Sequence, residues 1–186
     1  MSQQSPAERV ERLESRLAIQ ELGVLYGFVM DERSERGIRQ IFARDAVLKS
    51  EDGVFAAGGI DEIVEAYQAR FAVLGPTNHF SHGHVIRFDE SDRDLAYGLL
   101  AAHAEVSRKG VAMQVALRYK DVYRRHRGRW QFAERVMGYM YYLPFAELPE
   151  GLGDRDSVRA YGDRRPADWP EVLYRAQGAS LLDAYL

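Results

Sequence analysis

Four stretches decide the fold: HVIRFD (84–89), LAYGLLAAHAEVSR (95–108), AMQVALRYKDVYRR (112–125) and RWQFAERVMGYMYYL (129–143). Each is rich in apolar and β-branched or aromatic residues, the composition of a pleated, half-buried strand. Only turn residues separate them: Ser91-Asp92, Lys109-Gly110 and Arg127-Gly128. Joins this short link only antiparallel neighbours, so the second half of the chain predicts a long, twisted meander.

Upstream the period changes to that of helices. Ser5-Pro6-Ala7-Glu8 combines a capping box with proline at the first helical position. Val10, Leu13 and Leu17 then follow at helical spacing, and the run continues to Asp31. Gly23 and Gly27 weaken an unbroken helix, so a break or an offset is expected there. SERGIRQIFARD predicts a short second helix with Ile38, Ile41 and Phe42 inward. DAVLKS and GVFAAG predict a hairpin around Glu51-Asp52-Gly53. IDEIVEAYQARF predicts a third helix with Ile60, Ile63, Val64, Tyr67 and Phe71 on one side. Helices followed by a meander give an α+β layout, with helices on one face of a curved sheet.

The chain of 186 residues is read as one domain, residues 1–143, with an extension at 144–186. Four of the six prolines fall in that extension, yet it carries Phe145, Leu148, Tyr161, Trp169, Tyr174 and Leu181. Asp168-Trp169-Pro170-Glu171 reads as a helix start. Those apolar residues predict docking on the body, over a pocket mouth or across an interface between copies.

A net charge of −3 argues against a nucleic-acid partner, whose footprint is a basic patch. The absence of cysteine excludes disulfides, thiolate catalysis and cysteine-based metal sites. The polar N-terminus has no secretory pattern and no apolar run approaches a membrane span, so a cytoplasmic protein is expected.

Three of five histidines lie in TNHFSHGH (77–84). On a regular strand His82, His84, Ile86 and Phe88 share a face. Metal binding is the weaker reading, because the HExxH pattern is missing; hydrogen-bonded histidines in a half-buried strand are the stronger one. Arg135 alternates with Ala133, Met137, Tyr139 and Tyr141 on the last strand, where burial of its charge demands a carboxylate or an anionic group.

RLAIQELGVLYGFVMDE, FARDAV, GGIDEIVEAY, TNHFSHGHVIRFD and YKDVYRRHRGRWQFAERV, in this order, resemble the SnoaL-like branch of the nuclear transport factor 2-like superfamily over about residues 8–143. The resemblance implies a cone-shaped curved sheet wrapped around N-terminal helices with a deep pocket. Members include scytalone dehydratase, hexachlorocyclohexane dehydrochlorinase, ketosteroid isomerase and bile acid 7-alpha-dehydratase. The family pattern places its Asp–His dyad on Asp31 and His79, a tyrosine on Tyr26 and an arginine on Arg135. The dehydrochlorinase has lysine where this chain has Tyr26, so the substrate is left open. The implied pocket makes His82, His103, Met137, Tyr139 and Phe28 substrate-binding candidates.

The resemblance thus implies a lyase without metal or other cofactor, acting on a hydrophobic ring-bearing molecule such as a hydroxysteroid or polycyclic aromatic. In that reading His79 is the base, Asp31 orients it, Tyr26 donates a proton and Arg135 supports developing charge. Isomerisation and formaldehyde loss from diaryl compounds are alternatives in the same pocket. A non-catalytic ligand-binding or dimerisation module is the alternative of another class. A homodimer or homotrimer is expected.

Overall fold

The structure is a computed structural model describing residues 5–170 and 181–186. Its elements are helices α1 (Pro6–Asp31), α2 (Glu35–Ile41) and α3 (Ile60–Phe71), and strands β1 (Phe42–Ser50), β2 (Ala56–Gly58), β3 (Leu74–Phe88), β4 (Leu95–Arg108), β5 (Val111–His126) and β6 (Arg129–Pro144). They form an α+β unit in which one six-stranded sheet, order β2-β1-β6-β5-β4-β3, curves around the helices. The meander is antiparallel throughout, while β1 pairs in parallel with β6.

The capping box at Ser5 forms: its hydroxyl accepts from the Glu8 N–H, and the Glu8 carboxylate accepts from the Ser5 N–H. Helix α1 runs unbroken through both glycines, contrary to the expected break. The reason is packing. A methyl group at Gly27 would lie 3.0 Å from Cβ of His79, so the missing side chain lets the helix press onto β3. The buried side of α1 carries Ile19, Leu22, Tyr26, Val29 and Met30, whereas Val10, Leu13 and Leu17 are exposed. Lys109-Gly110 and Arg127-Gly128 both have positive φ at the predicted turns, which suits tight hairpins.

Three bulges change which residues share a face. In β3 the register shifts between Ser81 and His84, so His84 points inward and His82 outward. This corrects the shared face expected from simple alternation. In β6 the register shifts at Phe132/Glu134 and at Tyr139/Tyr141. Arg135, Met137 and Tyr139 therefore share the concave face with Phe132 and Tyr142. Tyr141 instead lies beside His103, and Ala133 leaves the alternation.

Beyond Met137, strand β6 loses β1 as a partner and the extension takes its place. Tyr142 N–H donates to the Ser157 carbonyl at 2.8 Å, and Asp168 N–H to the Tyr139 carbonyl at 2.8 Å. An otherwise bare sheet edge is covered this way. Val158 and Ala160 are buried, and the Tyr185 hydroxyl donates to the Gly98 carbonyl at 2.9 Å. The helix expected after Asp168 and the side chains of Tyr174 and Leu181 lie outside the described residues. No helix among the described residues is long and apolar enough to cross a membrane.

Candidate active site

The concave face of the sheet, the end of α1 and the end of α3 line a partly open cavity of about 50 Å³. Its walls are mostly aromatic and aliphatic, among them Tyr67, Phe71, Val115, Leu117, Met137, Tyr139 and Tyr142. Tyr26, Arg70, Thr77, His79 and the tyrosine hydroxyls supply the polar groups.

Asp31 ends α1 and faces the first residues of β3. Its Oδ1 lies 2.5 Å from Nδ1 of His79 and accepts from the Thr77 hydroxyl at 2.7 Å. Its Oδ2 accepts from the His79 main-chain N–H at 2.9 Å. Burial pushes the Asp31 carboxyl up, but these three hydrogen bonds outweigh it and hold the group below the usual carboxylate range. With Nδ1 engaged, Nε2 is the ring nitrogen left for chemistry in the cavity that His79 lines.

Tyr26 stands five residues before Asp31, about 140° round the helix. The two do not meet; His79 lies between their directions, its ring 6.4 Å from that of Tyr26 and nearly perpendicular to it. The Tyr26 and Tyr67 hydroxyls are 2.7 Å apart. Burial raises the Tyr67 phenol well above its ordinary value, so it stays protonated.

Arg135 is fully buried and does not line the cavity. Its Nε and Nη2 donate to Oδ1 and Oδ2 of Asp121, each at 2.8 Å. Its guanidinium carbon lies 4.1 Å from the ring centres of Tyr26 and Tyr119 and 4.0 Å from that of Phe132. The anionic partner expected for it is thus Asp121. The Tyr123 hydroxyl donates to Asp121 at 2.7 Å and accepts from His84 Nε2 at 3.0 Å, completing a buried chain behind Tyr26.

Of the substrate-binding candidates, Met137 and Tyr139 line the cavity. Phe28 does not: it is 64% exposed on the outer side of α1, one residue past the inward-facing Gly27. His82 and His103 pair with each other on the convex face, Nε2 to Nδ1 at 2.8 Å, because the β3 bulge turns His82 outward. Sequence reading missed Arg70, Thr77 and Tyr67 as site residues. Thr77 stands two before His79, the strand spacing of one face, and Arg70 three after Tyr67, the helical spacing; both signals were present. No cluster of three His, Asp or Glu side chains able to hold a metal ion occurs among the described residues.

The model of the SnoaL-like domain family matches residues 11–136. No curated protein sequence matches the chain. Among solved structures, a LinA-type hexachlorocyclohexane dehydrochlorinase from Novosphingobium barchaimii is similar at 21% identity and a TM-score of 0.66, covering 74% of this chain and 94% of its own. A scytalone dehydratase candidate from Novosphingobium aromaticivorans aligns at 17% identity and a TM-score of 0.65, over 72% of this chain and 89% of its own. An aromatic ring hydroxylase candidate from the same species aligns at 25% identity and a TM-score of 0.65, over 77% of this chain and 98% of its own. At such identities these likenesses establish the fold.

Proposed function

The chain belongs to the SnoaL-like domain family, and from that premise we propose that it is a cofactor-independent lyase of dehydratase type. Its substrate is a hydrophobic ring-bearing small molecule such as a hydroxysteroid or polycyclic aromatic compound. The observation that carries this reading is the contact between Asp31 and Nδ1 of His79 inside a largely apolar cavity. The carboxylate keeps the proton on Nδ1, which leaves the Nε2 lone pair as the base, and it stabilises the imidazolium that forms. His79 removes a proton from a carbon next to the leaving group or to a carbonyl. A largely apolar cavity keeps competing water low, and the neutral imidazole is a base suited to operation near pH 7.

Tyr26 is the donor to the departing hydroxyl or the developing enolate. Its hydrogen bond with Tyr67 fixes the hydroxyl, and the positive charge of Arg135 behind its ring favours negative charge growing in front of it. Arg135 in this reading is a positioning residue rather than a group that touches substrate. Ketosteroid-type isomerisation and formaldehyde release use the same base and donor. Residues 157–168 of the extension complete the body at β6, and the exposed Val24, Leu25 and Phe28 on α1 suit association of copies into a homodimer or homotrimer.

The test is a screen of hydroxylated, halogenated and keto ring compounds for loss of water, halide or formaldehyde, or for double-bond migration. Turnover by the wild type that survives chelation and disappears in His79→Ala supports the reading. Ligand binding with no turnover, or turnover undiminished in His79→Ala, overturns it in favour of the non-catalytic module or another base.

A further inference from the structure

Arg70 ends the inner side of α3 and lines the same cavity as His79. Its Nη2 donates to the Tyr139 hydroxyl at 2.9 Å. Its guanidinium carbon lies 5.3 Å from the ring centre of Phe55 and 5.9 Å from that of Tyr139. A guanidinium offers five N–H donors and stays charged at any pH the protein meets. The bond to Tyr139 uses one donor and cancels no charge.

Several other arginines of this chain are neutralised by carboxylates. Arg135 has Asp121, Arg125 has Asp94 and Glu11, and Arg39 has Glu35 and Asp61. Arg70 forms no ion pair with any carboxylate among the described residues. A cation set among aromatic rings without a counter-charge is costly, and a ligand that brings the charge relieves that cost. No second Lys or Arg lines the cavity. One positive charge matches a carboxylate, whose two oxygens fit the guanidinium fork, better than the dianion of a phosphate monoester.

We propose that the cavity takes a hydrophobic carboxylic acid, its carboxylate paired with Arg70 and its ring system lying along the aromatic walls towards His79. This deepens the lyase reading and rests on it for the part played by His79; the pairing with Arg70 stands by itself.

The experiment is calorimetric titration of the full chain with two-, three- and four-ring aromatic and steroidal carboxylic acids, each beside its methyl ester and the phosphate monoester of the matching alcohol. At least one acid binds the wild type ten-fold or more tighter than its ester. Arg70→Gln brings that ratio to about one while the ester keeps its Kd within about two-fold, and Arg70→Lys, which retains the charge, keeps part of the ratio. The inference falls if no acid binds tighter than its ester, if the phosphate monoester binds tighter than the acid, or if Arg70→Gln leaves the ratio intact. Should Arg70→Gln fail to fold, the wild-type ratio and Arg70→Lys still decide. His79→Ala separates the two readings. An acid preference kept in that variant, in a chain that turns nothing over, upholds the Arg70 site and removes the lyase. Turnover of neutral ring compounds with no acid preference does the reverse.

Discussion

One carboxylate holds His79 at two points: Asp31 Oδ1 meets the ring nitrogen Nδ1 at 2.5 Å, and Oδ2 accepts the main-chain N–H of the same residue at 2.9 Å. Thr77 adds a third donor. An asparagine has only one acceptor oxygen. In Asp31→Asn that oxygen goes to the main-chain N–H, and the amide donates to Nδ1. The ring proton then moves to Nε2, where the lone pair was. Asp31→Asn is expected to lower kcat by about 10² to 10⁴-fold with little change in KM, by analogy with the wrong-tautomer effect in serine protease triads. His79→Ala abolishes turnover. Both variants keep the wild-type far-ultraviolet circular dichroism. An Asp31→Asn enzyme of undiminished kcat would show that the carboxylate does not set the tautomer.

Tyr26 and Tyr67 share one hydrogen bond in a buried setting, so removing either hydroxyl leaves its partner short of one. Each single Phe variant is expected to lose about 1 kcal/mol of stability. Their kinetic effects differ. Tyr26→Phe loses the donor beside His79 and lowers kcat by about 10 to 10³-fold. Tyr67→Phe only loosens that donor, and its kcat falls by less than about ten-fold. Equal kinetic losses would shift the donor role from Tyr26 to the pair.

The buried ion pair of Arg135 and Asp121 predicts an asymmetry. Arg135→Met keeps much of the volume among Tyr26, Tyr119 and Phe132 but strands Asp121 without its cation. The expected cost is about 3–5 kcal/mol in denaturant unfolding. The double variant Arg135→Met/Asp121→Asn removes both charges and recovers about half of that loss or more. Stability recovered without activity would locate the value of Arg135 in its charge behind Tyr26. Activity recovered with stability would reduce it to a filler of space.

The order of segments makes the α+β layout legible in the sequence, and the family resemblance it carries implies the meeting of Asp31 with His79. Asp31 alone reads as a solvated carboxylate at a helix end, and composition starts the next strand near His84 where β3 begins at Leu74, so it is the resemblance carried by that order that points to the dyad. What stays hidden depends on register. Regular alternation puts His82 and His84 on one face, and one extra residue between Ser81 and His84 separates them. The same alternation puts Tyr141 beside Tyr139, and a second bulge gives its place to Tyr142. A bulge is a cross-strand event, and a single strand's sequence carries no mark of it. The parallel pairing of β1 with β6 joins residues about ninety positions apart, out of reach of local patterning. Arg70 reads along the chain as an ordinary cation in the last turn of a helix. Only the cavity shows that no carboxylate among the described residues answers it.

His84 predicts how the fold responds to acid. It packs beside Gly23 and Gly98, and its Nε2 meets the Tyr123 hydroxyl. Burial is the main influence and disfavours the imidazolium; Asp121 works against it, while Arg135 and Arg16 add to it. Together they bring the pKa down to about 4. In the unfolded chain the same ring titrates near 6.5. Between those values the unfolded state binds the proton and the native state does not. The contribution of His84 is therefore full above about pH 6.5 and is lost progressively as pH falls towards 4, amounting to up to about 3 kcal/mol. His103, lowered by burial and by His82, adds a smaller slope of the same sign. Asp31, held below the usual range, gives up its share only at lower pH, as the carboxylates titrate. His84→Gln keeps a donor for Tyr123 and titrates nowhere. Urea unfolding from pH 7.5 to 4.5 is expected to show a wild-type loss of about 2–3 kcal/mol, and in His84→Gln a loss no more than about half as large. At pH 7.5 the variant is less stable by about 1 kcal/mol, because glutamine fills the site less well. Curves of equal slope for the two proteins would mean that His84 is already charged in the native state, and that Asp121 holds it so.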